Sequence, residues 1–516
     1  MSITPAGAIP KFRRGARVAV VGAGISGVTA AAHLLNEGMA VTVFERSGIA
    51  GGVWHYDEAT PEDPSYPSNT PSVGDYELSA PGQYAYQTPP PESEDGIEEQ
   101  ANKAKQTDDA LRIRFSPPGP CYAGLKNNVP TTLMYSILDP WPEGTEEHTG
   151  QENIERYVQT LAQNHRVHDV TLYNTRVDER KKTADEGSWV VRTVTLDKRH
   201  GGGHLVEKYW EFDSVVIASG HYNLPRIPDT PGLKEWKTAF KDRVIHSKQY
   251  RKADVFRGKN ILVIGAGVSS NDICREVGEV ANHIFQSVRG GIFDLPASLL
   301  PEVAERIGEV ARYELEACFN PGRRLVTEDH IPGRVILQDG RILNDVDYII
   351  IATGYITSYP FLPQLHSDTV PATEAGPDLL VTADGEMAHN LHKDIFYIPD
   401  PTLAFVGVPY YVATFSLFDF QSQIVARVFA GKAILPPEDK MRGEYQARLS
   451  ERGVGRSFHS LRGPGQEIAY VKDLVDWANR DAEMFGAEEM RGHSPAWVEA
   501  YEGMKLKMRM FLGLDP

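Results

Sequence analysis

The sequence predicts an α/β fold built on two parallel sheets, closed by helices at the carboxy terminus. Three observations lead there. Apolar runs at 17–21 (RVAVV), 260–264 (NILVI) and 348–351 (YIII) carry Val and Ile without polar alternation, the mark of strands covered on both faces. The first two runs each end in a glycine loop that opens a helical pattern, and the loops stand about 243 residues apart. From about Pro436 onward the chain holds helical patterns such as EIAYVKDLVDWANRDAEMF. A fourth run, SVVIASGHY at 214–222, resembles YIIIATGY at 348–355. One whole module therefore recurs once, without a short-period repeat.

Composition narrows the class. At 516 residues the chain has room for about three domains. Apolar residues make up 41% and charged residues 24%, which excludes wholesale disorder. With 53 Lys and Arg against 70 Asp and Glu, the net charge of −17 argues against binding nucleic acid or an anionic membrane. Cys121, Cys274 and Cys318 form no C-x-x-C pair, so neither a disulfide framework nor a metal site is expected, and the setting reads as reduced and intracellular. No apolar window reaches about 18 residues, and the amino-terminal MSITPAGAIPKFRRG lacks a signal-peptide core. A soluble, cytoplasmic protein without a transmembrane segment is expected. The stretch from Asp57 to Ala110 carries 13 acidic residues against Lys103 and Lys105, and contains Pro89, Pro90 and Pro91. It reads as an exposed, partly mobile insertion. Its alternative role is a partner-docking or substrate-gating loop.

The first glycine loop is Gly22-x-Gly24-x-x-Gly27, with Ser26 inside it. The first glycine permits the tight turn, the second lets backbone approach a pyrophosphate, and the third lets helix pack on strand. The helix amino terminus then offers free N–H groups and a positive dipole end to phosphate. The next strand, AVTVFE, ends at Glu45, placed to bind ribose hydroxyls, with Arg46 beside it. A 2′-phosphate would be repelled by Glu45, so this site suits an unphosphorylated adenosine half such as that of FAD. The second loop, Gly265-x-Gly267-x-x-Ser270, repeats the pattern, with Ser269 inside it and Ser in place of the third glycine. Its next strand, HIFQSVRG, carries Gln286 where the acid would stand and Arg289 close behind. Loss of the acid and gain of a cation is the pattern for NADPH, because Arg can clamp a 2′-phosphate. Lys248 is a second candidate for that phosphate. Two sites with opposite charge rules imply a flavin enzyme reduced by NADPH, and the fold becomes two Rossmann-like domains.

From about residue 16 to about 432 the sequence resembles the flavin-containing monooxygenases, within the class B flavoprotein monooxygenases. Gly51-Gly52-Val53-Trp54 is similar to the family's GG-x-W. The signature F-x-G-x-x-x-H-x-x-x-Y falls on Phe240, Asp242, His246 and Tyr250, with Asp242 in place of glycine. Ala352-Thr353-Gly354-Tyr355 matches ATGY, and PTLAFVGVPYYVATFSLFDFQSQ resembles the later flavin-facing segment, with Asp419, Gln421, and Ser416 for the usual proline. Tyr122-x-x-Leu125-x-x-Asn128-x-Pro130 is similar to Y-x-S-L-x-T-N-x-P, which places the family's catalytic asparagine on Asn128, Gly124 and Asn127 replacing the Ser and Thr.

The resemblance implies a larger FAD domain interrupted by a smaller NADPH domain. The expected boundaries are 1–222 (with the insertion at 57–118), 223–347, and 348–516 with the helical cap. It implies NADPH- and dioxygen-dependent oxygenation of a soft nitrogen or sulfur atom in a small amine or sulfur compound, through a C4a-hydroperoxyflavin, with Asn128 holding the reactive edge. His246 and Tyr250 are expected to position the linker. A Baeyer–Villiger monooxygenase acting on a ketone and a non-catalytic flavoprotein docking through its insertion are the alternatives. A disulfide reductase is disfavoured by the missing C-x-x-C. A homodimer is left open.

Overall fold

The computed structural model describes residues 15–83, 108–182, 187–197, 204–316 and 330–511. Strand β1 (Arg17–Val21), helix α1 (Ile25–Asn36) and strand β2 (Ala40–Phe44) form the first β–α–β unit. β1 pairs in parallel with β2 on one side and with Ser214–Ile217 on the other. Short strands at Leu403–Phe405, Phe396–Tyr397 and Leu391–His392 extend this sheet, and Thr171–Leu172 closes its other edge. The sheet is thus built from both ends of the chain. Its unbroken apolar pattern follows from burial on both faces. Val18 and Val20 pack with Val28 and Ala31 of α1, whereas Ala19 and Val21 face Trp189 and Phe212 of an antiparallel three-stranded sheet.

The second module repeats the unit as strand β3 (Asn260–Ile264), helix α2 (Val268–Val277) and strand β4 (His283–Ser287). Its five parallel strands run in the order Ala304–Ile307, β4, β3, Tyr348–Ile351, Val244–His246. Tyr348–Ile351 therefore belongs to the second sheet, paired with β3 from Ile261 to Ile264. The expected boundary before residue 348 is corrected to one after Ile351. The two chain crossings between the modules run side by side, Leu224–Pro225 pairing antiparallel with Tyr355–Ile356.

The carboxy-terminal region is helical, as expected. Helix α3 (Thr414–Phe429) is buried along most of its length against α1, where Ala30, Ala31 and Ala32 allow close approach and Thr29 Oγ1 meets Ser422 Oγ at 3.0 Å. Helices α4 (Glu438–Arg452), α5 (Gln466–Phe485) and α6 (Pro495–Phe511) follow. Among the described residues no helix is long and apolar enough to cross a membrane.

The insertion departs from the sequence reading. Residues 84–107 lie outside the described residues, but 57–83, though exposed at many positions, are anchored to the main body. Its acids meet bases of the main body: Asp57 with Arg112 (2.6 Å), Glu62 with Arg114 (2.7 Å), Asp63 with Lys237 (2.6 Å). Ser68 exchanges backbone hydrogen bonds with Ile227, and the Tyr76 hydroxyl donates to the Val177 carbonyl. A segment poor in apolar residues is held here by ion pairs and backbone bonds instead of a core.

Its deepest anchor is Asp75. The carboxylate accepts both terminal guanidinium nitrogens of Arg46 (2.9 and 3.1 Å) and Lys248 Nζ (2.8 Å). Burial pushes the Asp75 carboxyl up, but the two cations outweigh it and hold it well below the usual carboxylate range. Asp75→Ala strands two buried cations, at a cost of about 3–5 kcal/mol. Thermal melting should fall far more in Asp75→Ala than in Glu58→Ala, which breaks an exposed pair with Lys252. Equal shifts would mean that the buried anchor contributes nothing special.

Candidate functional site

Both glycine loops open into one cavity of about 1760 Å³ between the modules. In the first, Gly22 has φ +103°, and a Cβ there would lie 2.7 Å from the Ala218 carbonyl oxygen. A Cβ on Gly27 would lie 1.9 Å from the Gly22 oxygen, so this glycine sits beneath the loop as the helix contact. The Gly52 backbone lies against Gly24, where a Cβ would come within 2.8 Å. α1 starts at Gly24 without a side-chain cap, leaving its first N–H groups for a ligand. Gly24, Ser26, Gly52, Val53 and Trp54 line the cavity. Glu45 lines it too, its Oε2 accepting the Ala23 N–H (2.7 Å) and its Oε1 the Ser47 N–H (2.8 Å). A tight turn that excludes a Cβ at Gly22 and Gly27, a bare helix terminus and an anchored carboxylate suit the adenosine diphosphate half of FAD. Arg46 reaches the cavity wall, but its guanidinium is committed to Asp75 and to Asn223 Oδ1 (3.0 Å).

The second loop has the same geometry: Gly265 has φ +112°, and a Cβ would lie 2.6 Å from the Ala352 oxygen. α2 starts at Gly267, again without a side-chain cap, and Ser269 lines the cavity. Ser270 is fully buried; its hydroxyl donates to the Gly265 carbonyl (2.5 Å) and accepts from Gln286 Nε2 (2.8 Å). The serine thus ties helix to loop from inside, away from any ligand. Register corrects the place of Gln286. β1 ends at Val21 opposite Phe44, and β3 ends at Ile264 opposite Ser287. The residue matching Glu45 is therefore Val288, and Gln286 is buried in the sheet, accepting from Arg306 at 2.6 and 3.0 Å. Arg289 is exposed, lines the cavity, and makes no hydrogen bond or ion pair among the described residues. Lys248 is a correction as well. It lies away from the cavity lining, its Nζ held by Asp75 and the Asn223 carbonyl (2.6 Å), so it is not placed to meet a 2′-phosphate.

At the join, Thr353, Gly354 and Tyr355 line the cavity. His246 lies behind them: Nδ1 accepts the Lys248 N–H (3.1 Å), which leaves Nε2 to donate to the Gly354 carbonyl (3.1 Å). Burial pushes this imidazole down to about 3, so it is a neutral linker strut, as expected. Tyr250 is buried and donates to Glu276. Asp242 is exposed and has no positive φ, so glycine is not needed there. Gln421 does not reach the cavity; its Oε1 accepts the Gly407 N–H (2.9 Å) and thereby sets cavity-lining backbone. Asp419 pairs with His33 (2.6 Å) and is structural.

Asn127 and Asn128 divide their work. Asn127 is buried, donating to the Val129 and Glu147 carbonyls (2.7 and 2.8 Å) and accepting the Thr149 N–H (2.6 Å). That locked neighbour leaves Asn128 on the cavity wall, its amide without a hydrogen bond among the described residues. Nearby stand residues that sequence motifs missed. Tyr411 holds φ +61° and stacks on Phe293 (5.5 Å, 12°). Tyr501, Met504, Lys505 and Met508 of α6 line the cavity, with Tyr501 and Met504 packing near Val129, and their i, i+3, i+4, i+7 spacing was the available signal. Glu467 holds α6 in place, accepting the Ala413 N–H (3.0 Å) and the Tyr501 hydroxyl.

Comparison with known proteins agrees with this geometry. A family model described as flavin-binding monooxygenase-like matches residues 121–298 and 325–485, and an NAD(P)-binding Rossmann-like domain matches 20–74. The chain is 41% identical to the flavin-containing monooxygenase ustF2 of Aspergillus flavus, over 96% of this chain and 98% of that one. It shares its fold with the S-allyl-L-cysteine S-oxygenase of Allium sativum at 22% identity and TM-score 0.65, covering 96% of this chain and 93% of the other. It likewise matches Tmm from a Pelagibacter strain at 18% identity and TM-score 0.66, covering 96% and 90%.

Glu45→Ala removes the carboxylate expected to accept the ribose hydroxyls and frees the Ala23 N–H of the loop, with an expected cost of about 1–3 kcal/mol in flavin binding. Flavin retained through gel filtration should drop markedly. Wild-type retention would show that Glu45 serves only the loop.

Proposed function

The chain belongs to the flavin-containing monooxygenase family, with FAD and NADPH as its cofactors, and on that premise we propose that it oxygenates a soft nitrogen or sulfur atom of a small molecule. The observation that carries this reading is Asn128: a free amide on the wall of the one cavity that both glycine loops share. FAD, once reduced, supplies the activation of dioxygen; the residues of this chain supply position and dryness. The bare termini of α1 and α2 would hold the two pyrophosphates, and Glu45 would meet the ribose of FAD's adenosine half. Arg289, unpaired and opposite no acid, favours a 2′-phosphate and hence NADPH over NADH. Asn128 offers both a donor and an acceptor where the reacting atoms meet. A nitrogen or sulfur lone pair needs no base to become nucleophilic, so Met134, Val412 and Tyr411 on the adjoining wall suffice to exclude water from it.

Asn128→Ala leaves both loops and the Asn127 lock intact. Flavin should still bind and NADPH should still reduce it. Loss of one preorganised contact typically costs about 10²–10³ in the step it serves, so hydrogen peroxide formed per NADPH consumed should rise steeply while oxygenated amine or sulfide falls. An unchanged ratio with full product yield would remove Asn128 from the reaction.

A further inference from the structure

We propose that Lys505 is an anion subsite at the substrate end of the cavity, receiving a carboxylate carried by the molecule that is oxygenated. The inference rests on the monooxygenase reading and narrows its substrates to amines or thioethers that also bear an acid group.

Lys505 projects from α6 into the cavity lining and is only partly exposed. Its one close polar contact is the Tyr411 carbonyl, at 3.5 Å, the outer limit of a hydrogen bond. No carboxylate lies within ion-pairing distance of its Nζ among the described residues. Glu467 is the acid it senses, and both oxygens of Glu467 are already occupied by the Ala413 N–H and the Tyr501 hydroxyl. Other cations crowd the same corner. Arg462 lies over the Tyr411 ring (5.7 Å), and Arg456 lines the cavity over the Phe293 ring (5.6 Å) without an ion pair among the described residues. Asp294, on this wall, is turned onto the Gly291 N–H (2.7 Å). Glu386 lines the cavity near Arg456, yet none of these cations makes an ion pair among the described residues, and cations gathered unpaired beside a cavity in a chain of net charge −17 call for an anion from outside. Phosphate of NADPH shares that chemistry. It already has the bare α2 terminus and Arg289, whereas α6 packs against Val129, the neighbour of Asn128, through Tyr501 and Met504, and Lys505 reaches the Tyr411 carbonyl from that helix.

The test uses flavin-loaded enzyme, wild type, Lys505→Gln and Lys505→Arg, with 3-(methylthio)propanoic acid and its amide, and the matching dimethylamino acid and amide. Sulfoxide or N-oxide formation, the KM for NADPH, and the shift of flavin absorbance on titration with each compound are measured. Wild type should favour the acids by at least about tenfold in kcat/KM, the ratio that about 1.4 kcal/mol of ion pairing gives. Lys505→Gln should abolish that preference by raising KM for the acids, while the amides and NADPH are unaffected and Lys505→Arg keeps most of it. Turnover of the amides certifies that the variant is folded. Equal use of acid and amide by wild type overturns the proposal, as does a Lys505→Gln effect confined to NADPH. If peroxide alone forms with every compound, the oxygenation reading fails by itself; an acid-specific absorbance shift lost in Lys505→Gln still upholds the subsite, and no such shift overturns it too.

Discussion

Asp75 carries two buried cations, and through them one carboxylate joins the parts that make the cavity. Arg46 directly follows Glu45 at the end of β2, so the ion pair fixes the strand end from which the acid faces a ligand. Lys248 and Asn223 lie in the two segments leading into and along the second module, and both are bonded into the same cluster. Asp75 itself comes from the docked insertion. Removing Asp75 leaves two cations unpaired in a place that excludes water, which is why the geometry depends on that one carboxylate.

The same device recurs. Asp394 accepts both terminal nitrogens of Arg448 (2.8 Å each) and faces His459 Nδ1 (2.8 Å), fastening α4 beneath the first sheet. Asp419 links α3 to α1 through His33, and Glu467 links the α3 entrance to α6. His493, Trp497 and Tyr501 stack in succession into the start of α6, so Tyr501, the one of the three that lines the cavity, is held from behind. An acidic chain has organised its interior by giving chosen carboxylates buried partners.

Local patterns carried the apolar strand runs, both glycine loops and the place of Glu45, because each depends on neighbours within a few residues, whereas His246 came from the family signature and its strut reaches Gly354 across 108 residues. What the sequence concealed depended on distant partners or on register. Gln286 and Val288 differ only by where β4 pairs with β3, which spacing alone does not reveal. Lys248 sits in a polar motif that reads as surface, yet its partner lies 173 residues away. The acids of 57–83 read as solvated because the bases that hold them are scattered over two modules. Asn127 beside Asn128 looked like one turn; only their separate burial divides the strut from the free amide.

On the proposed reading, one cavity couples NADPH oxidation to transfer of a single oxygen atom onto nitrogen or sulfur. Turnover under ¹⁸O₂ with a tertiary amine or thioether, followed by mass spectrometry of the product, tests it most directly. One labelled oxygen in an N-oxide or sulfoxide is expected for each NADPH consumed. Unlabelled product, or labelled hydrogen peroxide with the amine and thioether recovered unchanged, would contradict it.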